Sequence, residues 1–301
     1  MKIRALAPWF GSKRTMAPAI VAQLGRHRSY WEPFGGSLAV LLAKSPVSQE
    51  TVCDLHGDLT NLAWVLQDGV QAPRLYGRLV RTLLTEPLFQ SCQARGLAPL
   101  PADAPPDPER AYHYLVASWG GRNGMAGTCC DDSQIAVRWT SGRQGPAARF
   151  RSVVESIPAW HERLRNVLVL RRDAFAVLAQ IEDDRHAAIY ADPPYLAATR
   201  HGNRGGGNYL HDFAEGDHAR LAEALRRFQR VRVVVSYYAH PRLAELYPGW
   251  SQIDHARVKA LSLQQRRGAV AQEAPEVLLV NGPSYAAVET LFEDDRAKHQ
   301  N

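Results

Sequence analysis

The chain has 301 residues, 46% of them hydrophobic, which is enough for one large domain with an insertion or for two modest domains. No apolar run is long enough to span a bilayer, and the N-terminus lacks the apolar core of a signal peptide. The net charge of +6 favours a polyanionic partner. Four cysteines, Cys53, Cys92, Cys129 and Cys130, have neither metal-ligand spacing nor a disulfide pattern, which predicts a cytoplasmic protein without a metal.

The first part of the chain, residues 2–68, has the pattern of an α/β fold. Helices are predicted over 15–24, 37–43 and 58–66, the last capped by Asp58, and strands over 29–32 and 51–55. Glycines after the first strand let a cofactor approach the backbone at a helix N-terminus. Asp54, at the end of the second strand, follows them by about twenty residues, where an acid binds ribose hydroxyls.

Residues 69–151 have a different composition. Helices are predicted over 75–84 and 110–119, separated by a proline-rich loop at 98–108, and residues 120–150 show little periodicity. Between Arg110 and Arg151 there are six arginines and two acids. The pattern predicts an insertion that contacts an anion, with Arg122, Asn123, Arg138 and Arg143 as candidate contacts to it.

The α/β pattern returns after residue 152. Short apolar runs at 167–170, 187–191, 231–236 and 277–280 are typical of central strands buried on both faces. Helices are predicted over 174–181 and 217–228. Asp173 follows the third strand, where its carboxylate either accepts from a cofactor adenine amine, with Phe175 beside the ring, or simply caps the helix.

The strongest motif is Asp192-Pro193-Pro194-Tyr195, directly after an apolar strand. Two prolines cannot continue a central strand, so they predict a rigid turn at the carboxyl end of the sheet, where α/β proteins bind ligands. The Asp192 carboxylate and the Pro193 carbonyl can accept both hydrogens of an exocyclic amine. The Tyr195 ring can stack on a base turned out of a duplex, an interaction of roughly 1–3 kcal/mol.

Basic residues lie near these motifs. Lys13, after Trp9 and Gly11, is placed to hold a cofactor carboxylate, although a lone lysine is more often solvent-exposed. The segment 196–211 follows the motif at Asp192 and contains Arg200 and Arg204 but no acid. We predict that this loop contacts phosphates and closes over the base, and that Arg266 and Arg267 lie in a second basic loop.

Taken in order, these motifs resemble the D12-class (Dam-like) adenine-N6 DNA methyltransferases, and most closely the short phage- or prophage-encoded members. The resemblance covers roughly residues 6–68 and 151–280. It implies a Rossmann-like, mostly parallel seven-stranded sheet that binds S-adenosylmethionine, with an inserted, mainly helical DNA-recognition domain. Many relatives have a glycine where this chain has Leu38. The resemblance implies a cofactor site built from Trp9, Lys13, Glu32, Pro33, Phe34, Gly35, Gly36, Asp54, Leu55, Asp173, Ala174, Phe175 and Asp192.

The resulting hypothesis is a site-specific enzyme that methylates N6 of a flipped-out adenine in double-stranded DNA. Residues 1–68 and 152–301 form its catalytic domain and residues 69–151 its target-recognition domain. The expected setting is the cytoplasm of a bacterial or phage-infected cell. The family is often monomeric on DNA, and a nearby restriction endonuclease is a candidate partner. The alternatives are transfer to N4 of cytosine, to RNA or to a protein glutamine, and a DNA-binding protein without turnover.

Overall fold

A computed structural model describes residues 5–9, 11–95, 100–101, 103–121, 134–137, 145–199, 210–255 and 275–285. Its centre is a seven-stranded sheet with the order β3-β2-β1-β4-β5-β7-β6. β7 runs antiparallel to both of its neighbours, and the other pairs are parallel. The strands are β1 (Ser29–Glu32), β2 (Gln49–Cys53), β3 (Val167–Leu170), β4 (Ala187–Ala191), β5 (Arg232–Tyr238), β6 (Ser251–His255) and β7 (Glu276–Val280).

Helices flank this sheet. They are α1 (Ala17–Leu24), α2 (Ala39–Ala43), α3 (Gly57–Gln67), α4 (Gln71–Val80), α5 (Glu86–Arg95), α6 (Pro108–Gly120), α7 (Pro146–Val154), α8 (Ile157–Leu164), α9 (Ala174–Leu178), α10 (Glu215–Arg226) and α11 (Arg242–Leu246). The mixed α/β architecture with a seven-stranded sheet is consistent with the methyltransferase fold that the resemblance implies. No helix in the described ranges is both long enough and apolar enough to cross a membrane.

Alternation along the strands divides the core into two halves. On β4, Ala188 and Tyr190 pack into the half formed with α1–α8, whereas Ile189 and Ala191 pack into the half formed with α9–α11. The same two-residue alternation places polar residues on one face of the sheet, at the carboxyl ends of its parallel strands. Asp192 follows Tyr190 by two residues, as Ser236 follows Val234, so both side chains continue the face of the first half.

The structure corrects several local predictions. β6 was not predicted, because its exposed Gln252 and Asp254 give an edge strand little apolar signal. Helices α5, α7, α8 and α11 were not predicted either. Asp58 is not the cap of α3: the His56 ring accepts from the Leu59 N–H at 3.3 Å, while the Asp58 carboxylate, already inside the helix, binds the Arg110 guanidinium at 2.5 and 3.2 Å.

Leu38 explains where α2 begins. Its φ of 55° lies in the left-handed region, which residues other than glycine rarely adopt. The helix therefore starts at Ala39 and not at Ser37, as the sequence had predicted. Leu38 is nevertheless buried in the core, and this burial stabilises the strained backbone.

Helices from residues 69–151 share the first half of the core. α6 packs against α3 and α5, and α4 packs against α8. Leu115 and Trp119 of α6 are buried, and the Trp119 indole N–H donates to the Leu6 carbonyl at 2.9 Å. The described part of residues 69–151 is thus mainly helical and anchored to the sheet layer, and its definition as a recognition domain stays a proposal.

Candidate active site

A cavity of about 230 Å³ opens at the carboxyl ends of β1, β2, β3 and β4. This is the edge at which ligands of open α/β sheets bind. Most residues predicted to bind a cofactor line it: Trp9, Pro33, Phe34, Gly36, Asp54, Leu55, Asp173, Ala174, Phe175 and Asp192. Lys13, Glu32 and Gly35 line a smaller cavity that adjoins it, with Trp9, Phe34, Gly36 and Asp192 shared between the two.

Asp54 fixes the turn after β1. Its Oδ2 accepts from the Gly36 N–H at 2.7 Å, and its Oδ1 accepts from the His56 N–H at 2.8 Å. Gly36 has φ 48°, and a Cβ there would lie 3.0 Å from the Trp9 indole nitrogen. A side chain at this position would therefore be strained and would crowd the Trp9 indole ring.

Aromatic rings form another part of the cavity wall. Phe175 lies nearly parallel to Phe213, with centroids 5.8 Å apart and an interplanar angle of 18°, and Phe34 meets Phe213 edge-on at 5.6 Å. The Arg220 guanidinium lies 3.9 Å from the Phe175 ring centre. Asp173 caps α9 through Oδ1, which accepts from the N–H groups of Phe175 and Ala176, and it also lines the cavity. The capping interpretation of Asp173 is thus confirmed.

Asp192 is held by two side chains. Its Oδ1 accepts from the Ser236 hydroxyl at 2.7 Å, and its Oδ2 lies 3.0 Å from Lys13 Nζ. The Ser236 hydroxyl is also 2.9 Å from the Tyr190 hydroxyl. Burial raises the pKa of Asp192, while the Lys13 ammonium and the Ser236 hydrogen bond oppose that rise. These contacts fix a carboxylate at the cavity wall with little freedom to rotate.

Lys13 is buried, not solvent-exposed, with 4% of its side chain accessible. Besides Asp192 it contacts the Gly11 carbonyl at 2.7 Å and lies 3.6 Å from Glu276 Oε1. Its contacts in this structure are therefore with the motif at Asp192. The expected contact with a cofactor carboxylate remains a proposal.

Glu32 is a buried acid at the end of β1. Its Oε2 accepts from the Tyr30 hydroxyl at 2.7 Å. Burial raises the pKa of Glu32 to about 8, the Tyr30 hydrogen bond works against the rise, and the nearby Asp192 charge adds to it. The buried surroundings thus favour the neutral form of this carboxyl group, and a cationic ligand beside it would favour the ionised form.

Tyr195 packs inside the sheet edge. The residue is 3% exposed, its ring meets Tyr238 edge-on at 4.6 Å, and Lys13 Nζ lies 4.9 Å from its ring centre. Its hydroxyl donates to Glu276 Oε1 at 3.4 Å. Pro193 is also buried, and Pro194 lines the cavity.

The described cysteines are poor nucleophiles. Cys53 is buried and its Sγ donates to the Arg172 carbonyl at 2.8 Å, and burial raises the pKa of this thiol to about 12. Burial also raises the pKa of Cys92. Neither thiol lines the cavity. Within the described ranges, no three His, Cys, Asp or Glu residues form a group that could hold a metal ion.

All eight candidate DNA contacts lie outside the described residues: Arg122, Asn123, Arg138, Arg143, Arg200, Arg204, Arg266 and Arg267. Four further residues of the site were not predicted from the sequence: Ser236, Glu276, Phe213 and Arg220. Ser236 ends the predicted strand 231–236, and a polar residue at the carboxyl end of a strand beside β4 was the signal that could have found it.

Residues 9–86 match the family model of the D12 class N6 adenine-specific DNA methyltransferases. The resemblance drawn from the motifs is confirmed over these residues. The description of this family agrees with the prediction of an adenine-specific DNA methyltransferase. No curated protein sequence matches the chain.

Proposed function

We propose that the chain transfers the methyl group of S-adenosylmethionine to N6 of an adenine that is flipped out of double-stranded DNA into the cavity beside Asp192. The observation that carries the proposal is the immobilised carboxylate: Asp192 lies at the cavity wall with Ser236 on one oxygen and Lys13 near the other. The family match at residues 9–86 supports adenine in DNA as the substrate.

The residues around the cavity fit the three parts of such a cofactor. Glu32 and Lys13 would hold the amino-acid end, since a buried carboxyl with a raised pKa suits an ammonium group. Asp54 would accept from the ribose hydroxyls, because each of its oxygens receives one backbone N–H and retains a second lone pair. Asp173 and Phe175 would meet the adenine ring.

When bound, S-adenosylmethionine supplies a methyl group on a sulfonium, which is open to in-line displacement. The protein's task is positioning. The Asp192 carboxylate and the Pro193 carbonyl would accept the two amine hydrogens and so direct the nitrogen lone pair. Asp192 need not remove a proton beforehand, and the proton lost after transfer can pass to solvent.

Tyr195 is proposed to stack on the extruded base. Because its ring is buried against Tyr238 and Lys13, stacking requires that DNA binding make the ring accessible. The Lys13 ammonium would then remain beside Asp192 and hold that carboxylate in its ionised form.

DNA binding is proposed for residues 69–151 and for the basic segments near Arg200 and Arg266. Replacement of one phosphate-contacting arginine should weaken binding to all sequences and lower the salt slope by about one. We also propose that the enzyme acts as a monomer in the cytoplasm of a bacterial or phage-infected cell. Genomic neighbours would decide whether it serves with a restriction endonuclease.

Nucleoside analysis of DNA after incubation with the enzyme and labelled cofactor tests the proposal. Label in N6-methyladenine supports it. Label in N4-methylcytosine, or label taken up by RNA or protein instead of DNA, would replace it with one of the other transfer reactions. Binding of cofactor and DNA without any labelled product would favour a silent binding protein.

A further inference from the structure

Glu276 is a second acidic residue near Asp192, and it comes from strand β7. It is the first residue of β7 and pairs with Tyr238 at the end of β5. Because β7 is antiparallel, its first residue lies at the same edge as the last residues of the parallel strands. Glu276 is buried, with 4% of the residue exposed.

The carboxylate of Glu276 contacts two residues of the site. Its Oε1 lies 3.6 Å from Lys13 Nζ and accepts from the Tyr195 hydroxyl at 3.4 Å. Lys13 Nζ is also 3.0 Å from Asp192 Oδ2. One buried ammonium is therefore shared between the buried carboxylate of Glu276 and the partly exposed carboxylate of Asp192. Charges interact strongly where water is excluded, so the position of Lys13 depends on both acids.

We propose that Glu276 is a positioning residue of the methyl-transfer site, which draws Lys13 partly away from Asp192 and anchors the Tyr195 hydroxyl. This inference rests on the proposed function. In this role, Glu276 determines how the Asp192 carboxylate and the Tyr195 ring lie relative to each other. With Lys13 shared, Asp192 retains lone pairs that can accept from the adenine amine.

Replacement of Glu276 by glutamine removes the negative charge and keeps an acceptor oxygen, so it tests the role of the charge alone. In Glu276→Gln the amide oxygen can still accept from Tyr195, but Lys13 has Asp192 as its remaining carboxylate partner among these residues. Asp192 becomes a weaker acceptor for the amine, so kcat should fall about 10-fold with little change in KM for DNA. The Glu276 charge raises the pKa of Asp192, so its removal should shift the acid limb of the pH profile to lower pH.

Other ionisable groups near Asp192 are unchanged in this variant. Among the described residues, those that face Asp192 are Lys13 before α1, Glu32 at the end of β1, Tyr190 on β4, Tyr237 on β5 and Glu276. A shift in the titration of Asp192 can therefore be assigned to position 276.

Glu50→Gln is the matched control. Glu50 is an equally buried carboxylate, on β2, and binds Lys44 at 2.5 Å and Arg163 at 2.5 and 2.8 Å, at a distance from the cavity lining. Its replacement also leaves buried cations short of a partner, so it should lower stability. It should leave the pH profile of methyl transfer as in the wild type.

The test combines pre-steady-state methyl transfer across about pH 5 to 9 with a ¹³C-carboxyl titration of Asp192 in the free protein, assigned with Asp192→Asn. The inference predicts a slower, acid-shifted profile and a lower Asp192 pKa in Glu276→Gln, with neither change in Glu50→Gln. An active Glu276→Gln enzyme with the wild-type profile and titration would overturn it. Failure of the wild type to methylate adenine would instead contradict the proposed function, and the titration would still measure the sharing of Lys13.

Discussion

The Ser236 hydroxyl donates to Asp192 Oδ1 at 2.7 Å and joins the carboxyl ends of β5 and β4. The two strands are parallel neighbours, and Ala191 pairs with Val235, so the next residues along each strand face one another. A hydroxyl supplied by a central strand is a rigid donor. It fixes the carboxylate in one rotamer before any ligand enters the cavity.

Ser236→Ala should reduce catalysis more than binding. A hydrogen bond to a charged group contributes about 1.5–3 kcal/mol, and its loss frees the Asp192 side chain to rotate. We therefore expect kcat to fall about 10- to 100-fold, with cofactor affinity close to that of the wild type. Steady-state methyl transfer and calorimetric cofactor binding measure the two quantities.

Tyr190→Phe provides the comparison for Ser236→Ala. It removes the hydroxyl 2.9 Å from Ser236 Oγ but leaves the bond between Ser236 and Asp192. A much smaller loss of activity is expected. Equal losses in the two variants would mean that general packing at β4 and β5, and not the bond to Asp192, accounts for the effect.

Glu32 should make the stability of the free protein depend on pH. Its pKa is about 8 in the fold against an ordinary value of 4.5, so the folded state binds more protons than the unfolded state between these values. The contribution of Glu32 is then fully present below pH 4.5 and is lost as the pH rises through about 8. Glu32→Gln should become progressively more stable than the wild type across this range. Urea unfolding at the two ends of the range would measure it, and a constant difference would contradict the raised pKa.

Position 38 should prefer glycine over alanine. Leu38→Ala loses most of the buried side chain and keeps the strained left-handed backbone, whereas Leu38→Gly loses the Cβ as well but relieves the strain. The glycine variant should therefore be about 1 kcal/mol more stable than the alanine variant, and both less stable than the wild type. Thermal unfolding of the three proteins tests the order. Greater stability of the alanine variant would contradict the backbone conformation.

Much of the sheet was predictable because its strands are short and apolar, and β4 and β7 are buried on both faces. The prediction was wrong in making 167–170 a central strand, since β3 lies at the edge of the sheet and exposes Leu168. The predicted bounds of β1, β3 and β4 agree with the structure residue for residue. β6 was not predictable, since an edge strand with polar side chains has the pattern of a loop. The start of α2 was also missed, because the backbone of Leu38 departs from the usual preference of its residue type.

For the candidate site, motifs that follow strands were predictable and partners from distant strands were not. Phe34, Asp173 and Asp192 each follow a predicted strand, Asp54 lies at the end of one, and all four line one cavity. Glu276 is the first residue of β7, and only the antiparallel direction of that strand brings it to the same edge. That direction depends on the packing of the whole sheet, which local sequence patterns do not encode.

The central claim is that Asp192 orients an adenine amine for methylation. The most direct measurement is methyl transfer from labelled S-adenosylmethionine to unmethylated DNA, with nucleoside analysis, for the wild type and for Asp192→Ala. We expect label in N6-methyladenine with the wild type and a loss of that label in the variant, although the variant still binds cofactor and DNA. An Asp192→Ala protein that methylates adenine at the wild-type rate, or a wild type that labels no adenine across a sequence-rich substrate, would contradict the claim.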